Sequence, residues 1–512
     1  MMKSSKVIKS AIIVMIVTLI SKFLGLGRDM LVAYNFGAGA LNDAYNVAVT
    51  IPDTVFTLIG LAISTTFIPM LSQVKVKEGK KSMFKFSNNI ITILTIIAMV
   101  LFILGIIFTE DIVKIFASGF DYERMKIAIS LTRISLINIL FLSVNACYTA
   151  MLQVCEDFII PSILGLFFNL PIILYLMLFK NTNVLGLTIA NVIGNALRVI
   201  AQLPSLFKHG YRIQPFINLK DKRVKRILIL VLPVIIGAGA NSLNMIVDKK
   251  IASYLGAGTI SALDYAQKLI IFANTAITTS IVTVMYPLMA NKINEDDKEG
   301  FTKYLFKSIV MICVFLIPIM MAFILLKQNI ISLVYGRGKF DEGAVVLTSL
   351  AFLGYSFQLP FYGVRDILNS SLFSMQKTRE TTINGVIGVM TNILLSLTLF
   401  RVLGITGIAL ASSIAAAVTS ILLLRTIKNV IGNYDIVPTM KKILKIIVAT
   451  IIMSVILIFI KNVILYKFSN QLVILIINFI IGVLVFGFSC VLLKVEEFYE
   501  VIKMIKKKIK KA

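Results

Sequence analysis

The chain has no tryptophan, a single histidine (His209) and four cysteines in 512 residues. Cys147, Cys155, Cys313 and Cys490 lie scattered in or beside apolar segments without C-x-x-C spacing, which argues against a disulfide framework and a thiolate metal site. One histidine in a basic loop leaves zinc chemistry and imidazole catalysis almost without raw material. No G-x-x-x-x-G-K-[ST] phosphate loop is present, so nothing in the chain itself is built to hydrolyse ATP. Acidic residues are scarce: 25 Asp and Glu face 51 Lys and Arg, a net charge of +26. No polar stretch is long enough to make a soluble domain. The missing tryptophan is compositional bias, and no function follows from it.

What is present is apolar sequence. The chain is 58% hydrophobic with a mean hydropathy of +0.93, and apolar runs of roughly 20 residues recur, the length a hydrocarbon core of about 30 Å requires. This predicts an all-α polytopic membrane protein with about 14 transmembrane helices. The expected spans are 10–35, 43–70, 86–109, 127–152, 158–179, 184–207, 227–251, 261–290, 308–327, 343–375, 381–400, 405–424, 446–460 and 468–490. With the N-terminus inside, the cytoplasmic segments hold 33 Lys and Arg and the outer segments 9, so both termini are expected in the cytoplasm. The charge sits in loops, which explains it as a topology signal and not as a nucleic-acid surface. The basic tail also suits anionic lipid. The first 20 residues mimic a signal peptide, basic and then apolar, but no small-x-small cleavage site follows and the text runs into a repeated motif. They are read as the first helix.

The repeat is internal. Sliding the chain by 219 residues aligns Asp29 with Asp248, Ala33 with Ala252, and Gly37-Ala38-Gly39 with Gly256-Ala257-Gly258. Two pseudo-symmetric six-helix lobes follow: residues 1–210 hold helices 1–6, 211–430 the basic linker and helices 7–12, and 431–512 a C-terminal helix pair and basic tail. Six helices between copies give both the same orientation, so an axis along the membrane normal and a cavity between lobes are expected. The glycines supply the tight turn after the first helix of each lobe.

Nine basic residues remain within spans: Lys22, Arg28, Arg133, Arg198, Lys249, Lys250, Lys268, Lys327 and Arg365. A charge at mid-bilayer costs on the order of 3 kcal/mol unless paired or hydrated. Lys22 and Arg28, around Gly25 and Gly27, which can loosen the helix, and Lys268 in the second lobe are placed to line a cationic cavity. A guanidinium there suits phosphate, because its fork binds two oxygens. Local neutralisation is the alternative reading, Arg28 with Asp29, Lys249 or Lys250 with Asp248, and Arg365 with Asp366, and it explains Lys249, Lys250 and Arg365 equally well; Arg133, Arg198 and Lys327 stay unassigned. Asp43 opens the second span, set to pair with Arg28 or cap its own helix, and Pro52 is expected to break that span. Asp248 is the candidate for coupling-ion chemistry, since a buried carboxylate can hold Na⁺ or a proton. Asn392 and Ser412 offer oxygen ligands, although such residues more often join helix to helix.

The strings S-K-x-x-G-x-x-R-D (21–29), A-x-x-F-G-A-G-x-x-x-D-A-Y (33–45), I-P-D (51–53) and F-I-P (67–69), with Y-A-Q-K-L (265–269) and Gln376 to Arg379 downstream, resemble the MurJ (MviN) family of lipid II flippases, within the multidrug/oligosaccharidyl-lipid/polysaccharide exporter superfamily. The resemblance implies fourteen helices, a cationic central cavity and a lipid-tail groove at the appendix. It also implies alternating access that carries undecaprenyl-pyrophosphate-linked glycopeptide to the outer leaflet of a bacterial cytoplasmic membrane. Membrane lipids and cell-wall synthesis proteins are the implied partners, with no nucleic acid, no cofactor, and Na⁺ or H⁺ as coupling ion. By position, Arg28 and Asp43 match the family, while Lys22 and Lys268 stand where it usually has Arg. Asp248 resembles a carboxylate that contributes to a sodium site in some members. The family's paired arginines after I-P-[ND] are replaced by Val55-Phe56-Thr57, the acid before the second-lobe cation by Gln267, and the acid one turn after Asn392 by Ser396. Lys keeps charge without the fork, so pyrophosphate affinity is expected to rest on Arg28. Lipid II translocation without covalent chemistry is the first reading. Export of another lipid-linked polysaccharide precursor is the second, and a cation-coupled drug antiporter the third, disfavoured by the basic cavity.

Overall fold

The computed structural model describes residues 2–467, 470–500 and 503; the tail from 504 on, with most of its lysines, lies outside the described residues. Eighteen α-helices and one π-helical turn follow one another, with no strand among the described residues. Among the described residues, ten helices are long and apolar enough to cross a membrane, or up to eleven if one bent pair is a single span.

The first repeat comprises α1 (Met2–Phe36), α2 (Ala40–Ala62), the π-turn Ile63–Phe67, α3 (Ile68–Ile107), α4 (Thr109–Ala117), α5 (Tyr122–Ser135), α6 (Asn138–Val154), α7 (Ile159–Leu178) and α8 (Val184–Lys208). The second comprises α9 (Lys222–Ser253), α10 (Thr259–Asn294), α11 (Lys298–Leu325), α12 (Lys327–Tyr335), α13 (Glu342–Ser356), α14 (Gln358–Ser374), α15 (Thr378–Leu403) and α16 (Ile405–Ile431); α17 (Val437–Lys467) and α18 (Gln471–Leu492) follow. The duplication is legible in the backbone. The left-handed residues pair at about the 219-residue offset: Gly37 with Gly256, Gly79 with Asp296, Glu156 with Gln376, Gly210 with Gly432. The short helices α4 and α12 are both entered through a residue near φ −100, ψ 20, namely Phe108 and Leu326. Asp121 and Asp341 cap α5 and α13 in the same way, each carboxylate accepting from a backbone N–H three residues on.

Two compact units form: Met1–Ser261 with Gly338–Phe340, and Ala262–Arg337 with Asp341–Ala512. The helix that opens the second repeat, α9, belongs to the first unit, so compactness and repeat do not share a boundary. In the first unit, Phe67, Met83, Phe86, Met151 and Tyr211 are fully buried in one core. The basic linker is strapped onto α3: Tyr211 Oη donates to Asn88 Oδ1 (2.7 Å), and Asn89 exchanges hydrogen bonds with the backbone of Asn218 (2.8 and 3.0 Å). In the second unit α16 packs against α13, α14 and α15, and α17 lies on α11. The segment after α18 is tied down by Lys442 to Glu496 and Glu497 and by Lys307 to Glu500.

Helix α1 runs unbroken through Gly25 and Gly27. One local expectation is corrected. Pro52 does not break α2, which continues to Ala62. Proline removes the N–H that would serve the carbonyl of Ala48, and Ser135 Oγ from α5 donates to that carbonyl instead (2.5 Å). A neighbouring hydroxyl thus satisfies the freed group, as helices in an apolar medium require.

Candidate functional site

The best-built charged cluster lies wholly within the first unit, on α1, α2, α7, α8 and α9. Arg28 leaves α1 half-buried and uses Nε and Nη2 to bind Asp29 Oδ1 (3.2 and 2.8 Å). Its guanidinium carbon faces the ring of Phe168 on α7 at 5.3 Å from the centroid. Arg198 on α8 lies over the same ring at 4.0 Å. These two cations therefore share one aromatic platform, an arrangement favoured by the ring quadrupole.

The platform is set by close helix packing. A Cβ at Gly194 would fall 2.6 Å from the carbonyl oxygen of Phe168, so only glycine allows α7 and α8 to approach there. One turn later α8 presents Arg198, whose Nη1 donates to Asn195 Oδ1 (3.2 Å). Asn195 Nδ2 and Asn138 Nδ2 both donate to Asn191 Oδ1 (3.4 and 3.1 Å), and Asn191 Nδ2 reaches Tyr45 Oη (3.4 Å). Tyr45 lies within electrostatic reach of Arg28, so the amide chain links the surroundings of both arginines. Arg198 Nε is buried with no hydrogen-bond partner among the described residues. Asp53 of α2 is exposed, and Arg198, Arg28 and Lys249 are its charged neighbours. Helix α2 carries no basic residue of its own, so every cation near Asp53 comes from another helix.

The other candidates fall in several places. Lys22 is exposed on α1 and makes no ion pair among the described residues. Lys268 belongs to the second unit, its ammonium 5.7 Å from the ring of Tyr265, which packs on Tyr335 (4.7 Å). Arg365 is locally neutralised by Asp366 (3.3 Å) and lies over Tyr362 (4.1 Å).

Asp43 is put to a different use from either expectation. It is fully buried and pairs neither with Arg28 nor with its own helix, whose N-cap is Gly39. Its carboxylate accepts from Gly258 N (2.6 Å), Ser261 N (2.8 Å) and Ser261 Oγ (2.6 Å), capping the start of α10, and Asn46 Nδ2 adds a bond to Ser261 Oγ (3.2 Å). The duplicated G-A-G turns meet here. A Cβ at Gly258, with φ +87, would lie 2.3 Å from the carbonyl oxygen of Ala38.

The ion-site candidates are divided. Asn392 Nδ2 donates to Ser412 Oγ (3.3 Å) and Ser396 Oγ donates to Asn392 Oδ1 (3.2 Å), both in the second unit. Asp248 lies in the first, accepting from Asn244 Nδ2 (3.2 Å). No cluster of three His, Cys, Asp or Glu suited to a metal occurs among the described residues.

Against this geometry, a model of the family described as lipid II flippase MurJ matches residues 32–479. The chain belongs to the MurJ family. Similar relatives are the probable lipid II flippase MurJ of Buchnera aphidicola subsp. Baizongia pistaciae, 27% identical over 467 residues (90% of this chain, 91% of that one), and that of Vibrio cholerae, 28% identical over 439 residues (82% and 83%). A solved lipid II flippase MurJ in an inward closed conformation superposes with a TM-score of 0.79 at 26% identity, covering 96% of this chain and all of that one. An inward-facing multidrug MATE transporter of the MOP superfamily shares the fold (TM-score 0.69, 82% and 98% covered) at 13% identity. This MurJ-family chain is therefore a multi-pass membrane transporter.

Arg198 is the member of this charged cluster that sequence reasoning left unassigned. The available signal was the spacing of Asn191, Asn195 and Arg198, which puts two amides and a cation on one helix face.

Proposed function

We propose that this chain moves lipid II, the undecaprenyl-pyrophosphate-linked glycopeptide, from the inner to the outer leaflet of a bacterial cytoplasmic membrane by alternating access. The observation that carries the reading is Arg28, whose Nη1 makes no hydrogen bond among the described residues, in a chain that matches lipid II flippases over nearly its whole length. Asp29 holds one edge of this guanidinium, and the remaining edge can serve a phosphate oxygen. Lys22 and Lys268 are proposed as further substrate contacts, and Asp43 as the residue that holds the start of α10 in this conformation. The fourteen crossings are counted by taking α2 to Gly79, α3 from Gly79 with α4, α5 with α6, α11 with α12, and α13 with α14 as single passes. Both termini then face the cytoplasm, where the basic loops fall.

Coupling to Na⁺ or H⁺ completes the proposal, with Asp248 in the first unit as the candidate carboxylate and Asn392 and Ser412 in the second as separate candidate oxygen donors. Flipping in proteoliposomes should depend on the ion gradient and lose that dependence in Asp248→Ala; the same rate with and without the gradient removes the ion site. One observation favours the second reading, export of a different lipid-linked precursor: α2 has no basic residue at 55–57. Complementation of a strain depleted of its lipid II flippase decides between them. Growth with the native chain and none with an inserted Arg28→Ala variant is expected; failure of the well-expressed native chain moves the assignment to another lipid-linked oligosaccharide.

A further inference from the structure

Two guanidiniums on one phenyl ring repel each other, and the ring's attraction for each does not cancel that repulsion. Asp29 neutralises Arg28 along one edge. Among the described residues Arg198 has no carboxylate bonded to it: its one hydrogen bond goes to the neutral oxygen of Asn195, and its buried Nε has none. The carboxylate within electrostatic reach of Arg198 is Asp53, which also feels Arg28 and Lys249 and makes no direct ion pair to either arginine among the described residues. The arrangement is thus two guanidiniums against one ring, Arg28 held along one edge by Asp29 and Arg198 with an unpartnered buried Nε, with Asp53 as a further carboxylate within electrostatic reach of both. A buried N–H donor without an acceptor costs about 1–3 kcal/mol, so its retention points to an acceptor that arrives from outside.

We propose that Arg28 and Arg198, stacked on Phe168, form a two-arginine receptor for a diphosphate group, and that Asp53 is the resident anion the diphosphate displaces. The inference rests on the flippase reading and deepens it: it assigns Arg198 as a specificity residue for diphosphate over monophosphate. One guanidinium binds two oxygens of one phosphoryl group; a second, on the same platform, binds the other phosphoryl group. The Asn195–Asn191 chain positions Arg198, and Gly194 positions the ring. Asp53 holds the two cations together between turnovers and, by competing, limits affinity so that the diphosphate can leave.

The test uses the full chain in lipid nanodiscs, titrated calorimetrically with inorganic pyrophosphate, inorganic phosphate, undecaprenyl diphosphate and undecaprenyl monophosphate. The native chain should bind each diphosphate at least about tenfold tighter than its monophosphate. Arg198→Gln should remove that preference while monophosphate binding changes less than about twofold, and Arg198→Lys, which keeps charge and loses the fork, should remove most of it. Asp53→Asn should raise pyrophosphate affinity several-fold, a gain that a merely structural carboxylate would not produce. Unchanged discrimination in both Arg198 variants overturns the proposal, as does weaker binding in Asp53→Asn. A preference seen only with the lipid forms assigns the site to the lipid diphosphate; one seen with both assigns it to the diphosphate group alone. Discrimination by Arg198 in a chain that fails to complement a lipid II flippase leaves the receptor standing and the lipid II reading fallen. Complementation without Arg198-dependent discrimination does the reverse.

Discussion

Removing the Asp43 carboxylate tests how the start of α10 is held. Asp43→Ala withdraws the acceptor for two backbone N–H groups and one hydroxyl, at 2.6 to 2.8 Å, from a fully buried position. Hydrogen bonds to a charged acceptor contribute about 1.5–3 kcal/mol each, and loss of a helix N-cap alone costs about 1 kcal/mol. The three bonds share one carboxylate and are not additive, so a total of about 3 kcal/mol is the working figure. Asp43→Asn keeps one acceptor oxygen and turns an N–H toward the donors, and should cost about 2 kcal/mol by the same reckoning. Melting shifts shrink as chains grow; for 512 residues, about 3 kcal/mol corresponds to roughly 3–6 °C. The assay is built into the molecule: Cys147, Cys313 and Cys490 are buried, so a thiol-reactive fluorogenic dye reports unfolding in detergent. Hydrogen exchange gives the local readout. Amides at 258–261 should exchange roughly a hundredfold faster in Asp43→Ala, since about 1.4 kcal/mol is tenfold. Native-like protection at 258–261, together with a melting point within 1 °C of the native chain, would refute the cap, whatever happened to transport.

Three further outcomes follow from the packing. Ser135→Ala should destabilise the first unit by about 1–2 kcal/mol, because the Ala48 carbonyl freed by Pro52 then has no donor; equal melting points for the two proteins would contradict this. Gly194→Ala should cost about 1–3 kcal/mol and reduce complementation, because its Cβ meets the Phe168 backbone at 2.6 Å and moves the platform under both arginines; full complementation would mean α7 and α8 part without consequence. In the linker, Arg223 bonds Asp221 (2.7 Å) and Glu78 (2.8 Å) and holds the Asp221 carboxyl below its ordinary range. That stabilisation is complete above the unfolded carboxyl pKa of about 3.9 and is lost as pH falls through the lower folded value. The groups are partly exposed, so the effect is below about 1 kcal/mol; Arg223→Ala should shrink the drop in melting temperature between pH 5 and pH 3 measured by circular dichroism.

Much of this protein was legible in order of residues because the bilayer imposes one-dimensional rules. Apolar run length gives helices that cross, and the recurrence of Gly37-Ala38-Gly39 as Gly256-Ala257-Gly258 gives a duplication that the left-handed backbone positions then repeat. Deep charge likewise singled out Arg28, since any cation there needs a reason. Pairing was not legible, because it depends on helices far apart in the chain. Asp43 read as a neighbour of Arg28 or a cap for α2, and the turn of the second repeat claimed it instead. Pro52 read as a break until a hydroxyl from α5 reached the carbonyl it freed. Arg198 read as one unassigned cation among nine. Residue order alone puts charges inside an apolar helical duplicate; the packing of α7 against α8 at Gly194 is what brings Arg198 and Arg28 to the ring of Phe168, because side chains 170 positions apart meet only where helix surfaces fit.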